Sequence, residues 1–156
     1  MNIFVLDINP ILAAQYQCDK HVVKMCLETA QILCTVREKD NPPYKPTHRN
    51  HPCTIWARSS IANYNWLKQH LRALLDEYTF RYHKLHACEK IYNWLKVTPT
   101  PDLPQLPLTS FALAMPDQYK TNCPVQSYRN YYIGAKSNIA AWRKSRSKPD
   151  WYSYEF

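Results

Sequence analysis

The chain has 156 residues and a formal charge of +8, a length that supports one domain over residues 1–156 and a basicity that favours polyanionic partners. Its one glycine, Gly134, against 12 prolines excludes a glycine-rich phosphate or dinucleotide loop, which needs backbone free of Cβ atoms at the ligand. The same scarcity argues against tight hairpins and an all-β fold.

"NIFVLD" opens the chain as a short apolar strand or extended arm burying Ile3, Val5 and Leu6. Asp7 or Asn9 then caps a helix starting near Pro10. Apolar residues recur at helical spacing from Ile11 to about Arg37, with a bend or break expected near Asp19. "KDNPPYKPTHRNHP" reads as a basic, proline-rich loop. A second helical region runs from about Cys53 to Tyr82, and a shorter helix fits Ala87 to Val97. The prolines between Pro99 and Pro107 force an irregular excursion, and "FALAMP" is expected as a single helical turn. Pro124 opens a last helix to about Ser145, followed by the tail "KPDWYSYEF". The fold class is therefore all-α: a compact domain of three to five helices with long loops and extended segments at both ends.

No run is long and apolar enough to span a membrane, and no signal segment opens the chain. The expectation is a monomer in the cytoplasm. There the cysteines at 18, 26, 34, 53, 88 and 123 stay as thiols.

The last third carries one-sided charge. No acidic residue occurs from Gln118 to Pro149, while Lys120, Arg129, Lys136, Arg143, Lys144, Arg146 and Lys148 all do. Tyrosines and Trp142 lie among them. Cations neutralise phosphates and aromatic faces stack on unpaired bases, so the segment reads as a nucleic-acid surface. The plainer alternative is a helix whose aromatics, Tyr128, Tyr132 and Trp142, are core and whose cations are a solvated face.

"CDKHVVKMCLE" places His21, Lys24 and Glu28 on one stripe of a helix, with Asp19 and Lys20 at its edge. Val22, Met25, Cys26, Ala30 and Leu33 form the opposing apolar face. A histidine, an amine and a carboxylate on one surface can move protons, and an amine beside a carboxylate can form and break an imine with a sugar aldehyde. Taken alone, the stripe reads first as an ordinary i,i+4 ion pair with a surface histidine, because such pairs are common.

"HRNHPC" (48–53) and "HKLHAC" (83–88) share one spacing of zinc-type ligands. No paired cysteines at C-x-x-C spacing accompany them, and no metal is expected.

Taken together, these features resemble the small phage-type pyrimidine-dimer DNA glycosylases of the endonuclease V type. The resemblance rests on His21 followed by Glu28 in "HVVKMCLE", on "DWYSYEF" after a basic segment, and on the basic, glycine-poor, helical layout. Lys144, seven residues before Trp151, also matches a lysine of the family. The chain departs from the family at Leu27, where an arginine precedes the glutamate, and at Asn2, where a small residue is exposed by loss of methionine.

The resemblance implies a glycosylase acting on damaged or modified duplex DNA, with abasic-site lyase activity and an imine intermediate. No cofactor is needed. Glu28 would stabilise the cationic intermediate and His21 would orient sugar or phosphate. The amine would come from Met1, from Asn2 after methionine removal, or from Lys24 or Lys20. Lys20, Arg129, Lys136, Arg143, Lys144, Arg146, Trp151, Tyr152 and Tyr154 would contact the DNA. Two other readings stay open: a non-catalytic nucleic-acid-binding protein, and a metal-dependent nuclease or hydrolase built on the His/Cys clusters.

Overall fold

The computed structural model describes residues 1–153, and within them the chain forms helices and no strands. The buried apolar residues make up one cluster.

The first helical run is two helices. α1 (Pro10–Tyr16) starts with proline at its first turn, and the Asn9 side chain accepts from the Ile11 and Leu12 amides. Gln17 and Cys18 are extended and fully buried, and α2 (Asp19–Val36) begins after them. Their position is set from outside. The Arg81 guanidinium, 0% exposed, donates to the Gln15 and Gln17 carbonyls and to the Asp19 carboxylate. Buried carbonyls freed by the break thereby find a charged donor.

The second run also divides. α3 (Pro52–Ser59) stops at Ser60, whose backbone is extended and whose hydroxyl accepts from the Asn63 amide at 3.0 Å to start α4 (Ile61–Tyr82). Serine competes for backbone partners in this way and so favours a helix end over a helix middle. α4 is the central element and packs on α1, α2, α3 and α5 (Glu89–Val97). Arg72 on α4 grips Glu89 through two hydrogen bonds of 2.9 and 2.7 Å, which fixes the start of α5.

The segment 111–116, expected as a helical turn, has no helix. Its backbone is used by tertiary partners. The Tyr128 hydroxyl bonds the Ala112 carbonyl and the Ala114 amide, Asn2 takes the Ala114 carbonyl, and Phe111 packs against Trp56 and Trp66.

α6 (Pro124–Ala135) ends ten residues short of the expected Ser145, as its bounds and the sequence numbering give. Beyond it the chain is drawn to the start of α2. The Asp19 amide donates to the Ala141 carbonyl (2.9 Å), the Asp19 carboxylate accepts from the Arg143 amide (2.7 Å), and the Trp142 indole donates to the Tyr16 carbonyl (3.1 Å). Gly134 serves a close approach: a Cβ there would lie 2.5 Å from the Tyr119 ring. With both long runs divided, six α-helices lie among the described residues where three to five were expected.

The N-terminal arm is extended, not a strand, and Ile3, Val5 and Leu6 are buried as expected. It bends at Phe4, whose φ of 41° is uncommon for a bulky residue and costs about 1–3 kcal/mol. The Asn2 carboxamide holds the bend by accepting from the Ile3 and Phe4 amides.

Glu77, 4% exposed, joins Arg81 and Arg146 on its two oxygens. Replacing it by leucine strands the buried Arg81 charge with Asp19 as its remaining carboxylate. Glu77→Leu is expected to lower unfolding free energy by about 3 kcal/mol, measured by urea denaturation. An unchanged midpoint would show that Arg81 does not depend on Glu77.

Candidate active site

The outer face of α2 and the N-terminal arm border an open cavity of about 360 Å³. Glu28 stands in it with a side chain only 12% exposed. Its Oε2 accepts from the Asn2 main-chain amide at 2.9 Å and faces the Met1 amine at 3.9 Å. Its Oε1 faces Lys24 Nζ at 3.4 Å. One carboxylate thus meets the chain terminus and a lysine, 26 or more residues of arm and helix being folded back to allow it. Helical spacing puts Lys24 beside Glu28, but only the buried arm brings the terminus there.

His21 also borders the cavity and is nearly buried. Its ring stacks on Phe4 at 4.3 Å, and its Nδ1 lies 2.6 Å from the Tyr132 hydroxyl. That hydroxyl also accepts from the Cys18 amide and donates toward Cys18 Sγ at 3.7 Å. Burial, with Lys136 and Lys24 nearby, pushes the His21 pKa down to about 3. His21 is therefore a neutral imidazole held by its surroundings, in contrast to the surface histidine of a simple amphipathic helix.

Lys136 lines the same cavity, its ammonium 4.7 Å from the Tyr131 ring centre. Lys20 is exposed on the outer face of α2, and Arg143 and Lys144 are exposed beyond α6. The last two do not ride on a basic helix, because α6 has ended at Ala135. Lys144 sits over the Tyr82 ring instead.

Two expected DNA cations are occupied within the protein. Arg129 donates to the Leu6 carbonyl at 3.0 Å and pairs with Asp7 at 3.5 Å, holding the arm to α6. Arg146 is bound by Glu77 and lies over Phe80, away from the cavity lining. Of the aromatic tail, Tyr152 is core at 2% exposed, while Trp151 is half-buried and packs edge-on to Tyr16 and Tyr132. Tyr154 lies outside the described residues.

The two His/Cys clusters are helix-entry devices. His51 Nδ1 accepts from the Cys53 amide at 3.1 Å, and His86 Nδ1 accepts from the Cys88 amide at 3.0 Å. The shared spacing reflects the same turn before α3 and α5. Burial raises both thiol pKa values, that of Cys53 to about 12, which opposes the thiolate form that a metal needs. Among the described residues no three His, Cys, Asp or Glu side chains are grouped to hold a metal.

Residues 1–90 match the family described as pyrimidine dimer DNA glycosylase. The chain belongs to this family. The matched span holds the arm, α2, Glu28, His21, Lys24 and His51; Lys136 and the tail lie beyond it. No curated protein and no solved structure matches the chain.

The sequence offered Tyr132 only as a candidate core aromatic and did not single out Phe4 or Tyr131; all three act at the site through contacts remote in sequence. It met His51 only as a metal candidate. The sequence clue to its present role was Pro52 after it, a common first helical residue following a cap.

His21 and His70 are both buried and neutral, with pKa values pushed down to about 3 and about 4. Unfolded histidines take up a proton near pH 6.5, so the stability these two contribute is complete above that pH. It declines as pH falls toward about 4, by up to about 1.4 kcal/mol per pH unit for each. Urea midpoints at pH 7.5 and 4.5 should differ accordingly, and His21→Gln should flatten the difference. Equal midpoints in the native protein would contradict the buried neutral assignment.

Proposed function

We propose that the protein is a DNA glycosylase with associated abasic-site lyase activity, working through an imine between its N-terminal amine and the deoxyribose of a damaged or modified pyrimidine nucleotide. Membership of the family supports a DNA glycosylase of the pyrimidine-dimer type. The observation that carries the finer chemistry is the meeting of Glu28 with the chain terminus: 2.9 Å to the Asn2 nitrogen and 3.9 Å to Met1. Whether or not Met1 is removed, the terminal amine lies at that carboxylate.

The target nucleotide leaves the base stack to reach the cavity, as it must for any enzyme working on a base. The unprotonated amine attacks C1′, the N-glycosidic bond breaks, and the base departs with the bonding electrons. Glu28 takes the proton that the attacking nitrogen sheds. The nitrogen lone pair then opens the sugar ring to give an iminium, with the C1′–O4′ electrons moving to the oxygen and a proton returning from Glu28. Loss of a C2′ proton to a base expels the 3′ phosphate by β-elimination, and water releases the amine. Glu28, facing the nitrogen throughout, is the group to stabilise the cationic stage.

The hydrogen bond from the Asn2 nitrogen to the enclosed Glu28 carboxylate, with Lys24 and Lys20 exposed, supports the terminal amine over either lysine as the nucleophile. Lys24, 67% exposed, is better suited to a phosphate beside the displaced nucleotide, with Lys136 on another wall. Lys20, Arg143 and Lys144 extend this exposed positive charge for the duplex backbone. Arg129, Arg146, Trp151 and Tyr152 support the scaffold. The protein is proposed to act as a monomer. Among the described residues no helix is long and apolar enough to cross a membrane.

The test is borohydride trapping on ultraviolet-irradiated and on abasic duplex DNA, with mass spectrometry of the trapped peptide. The expected product is an adduct on the N-terminal residue. Binding without any adduct would favour a non-catalytic DNA-binding protein. Glu28→Gln is expected to slow strand cleavage by about 100-fold or more while duplex affinity holds. Cleavage at the native rate would remove Glu28 from the mechanism.

A further inference from the structure

A second imidazole borders the cavity. His51 is the N-cap of α3, half-buried at the cavity wall that carries Pro52 and faces Glu28 and the terminal amine. Its Nδ1 accepts the Cys53 amide, so that nitrogen must keep its lone pair and the ring proton must sit on Nε2. Nothing among the described residues takes up that Nε2–H. Burial lowers the His51 pKa, the terminal amine and His48 lower it further, and Glu28 opposes them. Near neutral pH the ring is therefore uncharged, tautomerically fixed, and presents one donor beside the reacting groups.

We propose that His51 is a further catalytic residue of this pocket, donating its Nε2–H to the ring oxygen of the deoxyribose whose C1′ meets the terminal amine. This rests on the glycosylase–lyase chemistry above. When the C1′–O4′ bond breaks, its electron pair goes to O4′. The proton that O4′ acquires is the one Glu28 received from the attacking nitrogen, and His51 keeps its own. The hydrogen bond is strongest as negative charge builds on the oxygen, which is the condition for lowering a barrier rather than tightening binding. A neutral donor suits this position, because an imidazolium would repel the cation developing at C1′ and N. The cap is thus more than a helix start: it fixes the tautomer that the chemistry uses.

His51→Asn and His51→Ser both retain an N-cap acceptor and remove the Nε2–H, so the fold is kept while the donor is lost. Single-turnover borohydride trapping on abasic duplex would be compared in the native protein and both variants, with thermal midpoints and duplex affinity measured alongside. Labelling of the terminal amine by propionaldehyde and borohydride serves as a reaction with no ring oxygen. The expected result is an about 100-fold loss of trapping on DNA in both variants, with propionaldehyde labelling, midpoint and affinity unchanged. Trapping on DNA at the native rate in either variant would overturn the proposal. Equal losses on DNA and propionaldehyde would also overturn it, since His51 would then act on the amine alone. If the native protein itself forms no adduct with DNA, the imine chemistry falls and this role falls with it. That outcome is distinct from a native protein that reacts and variants that react equally well.

Discussion

Arg81 decides where α2 begins. Its guanidinium, fully out of solvent at the end of α4, collects the carbonyls of Gln15 and Gln17 and the carboxylates of Asp19 and Glu77. A buried charge of this kind is tolerable only when its donors are satisfied, so the chain at 15–19 must adopt the one path that supplies them. That path breaks the first helix and sets the start of α2. The rotation of α2 then follows, and with it the direction in which His21, Lys24 and Glu28 face. Asp19 extends the same network to the strap after α6, through Ala141 and the Arg143 amide. The strap brings Trp142 against Tyr132 of α6, whose hydroxyl lies 2.6 Å from His21 Nδ1.

The arm is the second organising element. Apolar burial of Ile3, Val5 and Leu6 inserts it into the core, and Arg129 ties its far end to α6. Asn2 locks the bend at Phe4 from one side and binds the Ala114 carbonyl from the other. The non-helical segment 111–116 therefore has a purpose in the fold: its backbone meets the arm and Tyr128 with groups that a helix would have used internally. These contacts bring the chain terminus to Glu28 and give Asn2 a role in the fold.

The cavity is built from neutral imidazoles beside a carboxylate and amines. His51 is held in one tautomer by a backbone amide that donates to its Nδ1, and His21 is held in place by a hydrogen bond between its Nδ1 and a tyrosine hydroxyl. Burial keeps both uncharged. The positive charge around them belongs to the amine, Lys24 and Lys136. The division suits chemistry on a sugar attached to a polyanion, with cations available to phosphate and neutral donors available to oxygen.

The helical class, the arm, the stripe of His21, Lys24 and Glu28, and the resemblance to the glycosylase family were all legible in the sequence. They follow from local rules: periodicity, capping, scarcity of glycine, and spacing along one helix. The breaks at Gln17–Cys18 and Ser60, the early end of α6, the packing of Trp151 and the burial of Tyr152 were decided by tertiary partners far away in the chain. A helical pattern continues through 136–145 on paper, but Asp19 and Tyr16 take the backbone and indole groups of that segment. Basic residues look alike in a sequence, yet Arg129 and Arg146 are consumed by Asp7, Leu6 and Glu77 while Lys24 and Lys136 reach the cavity. By itself the sequence determined which chemical groups were present and which shared a helix face, because those depend on neighbours three or four residues apart. Only the tertiary structure decided that the chain terminus meets Glu28 and that a capping histidine shares their cavity, because both depend on packing between segments whose separation no local rule encodes.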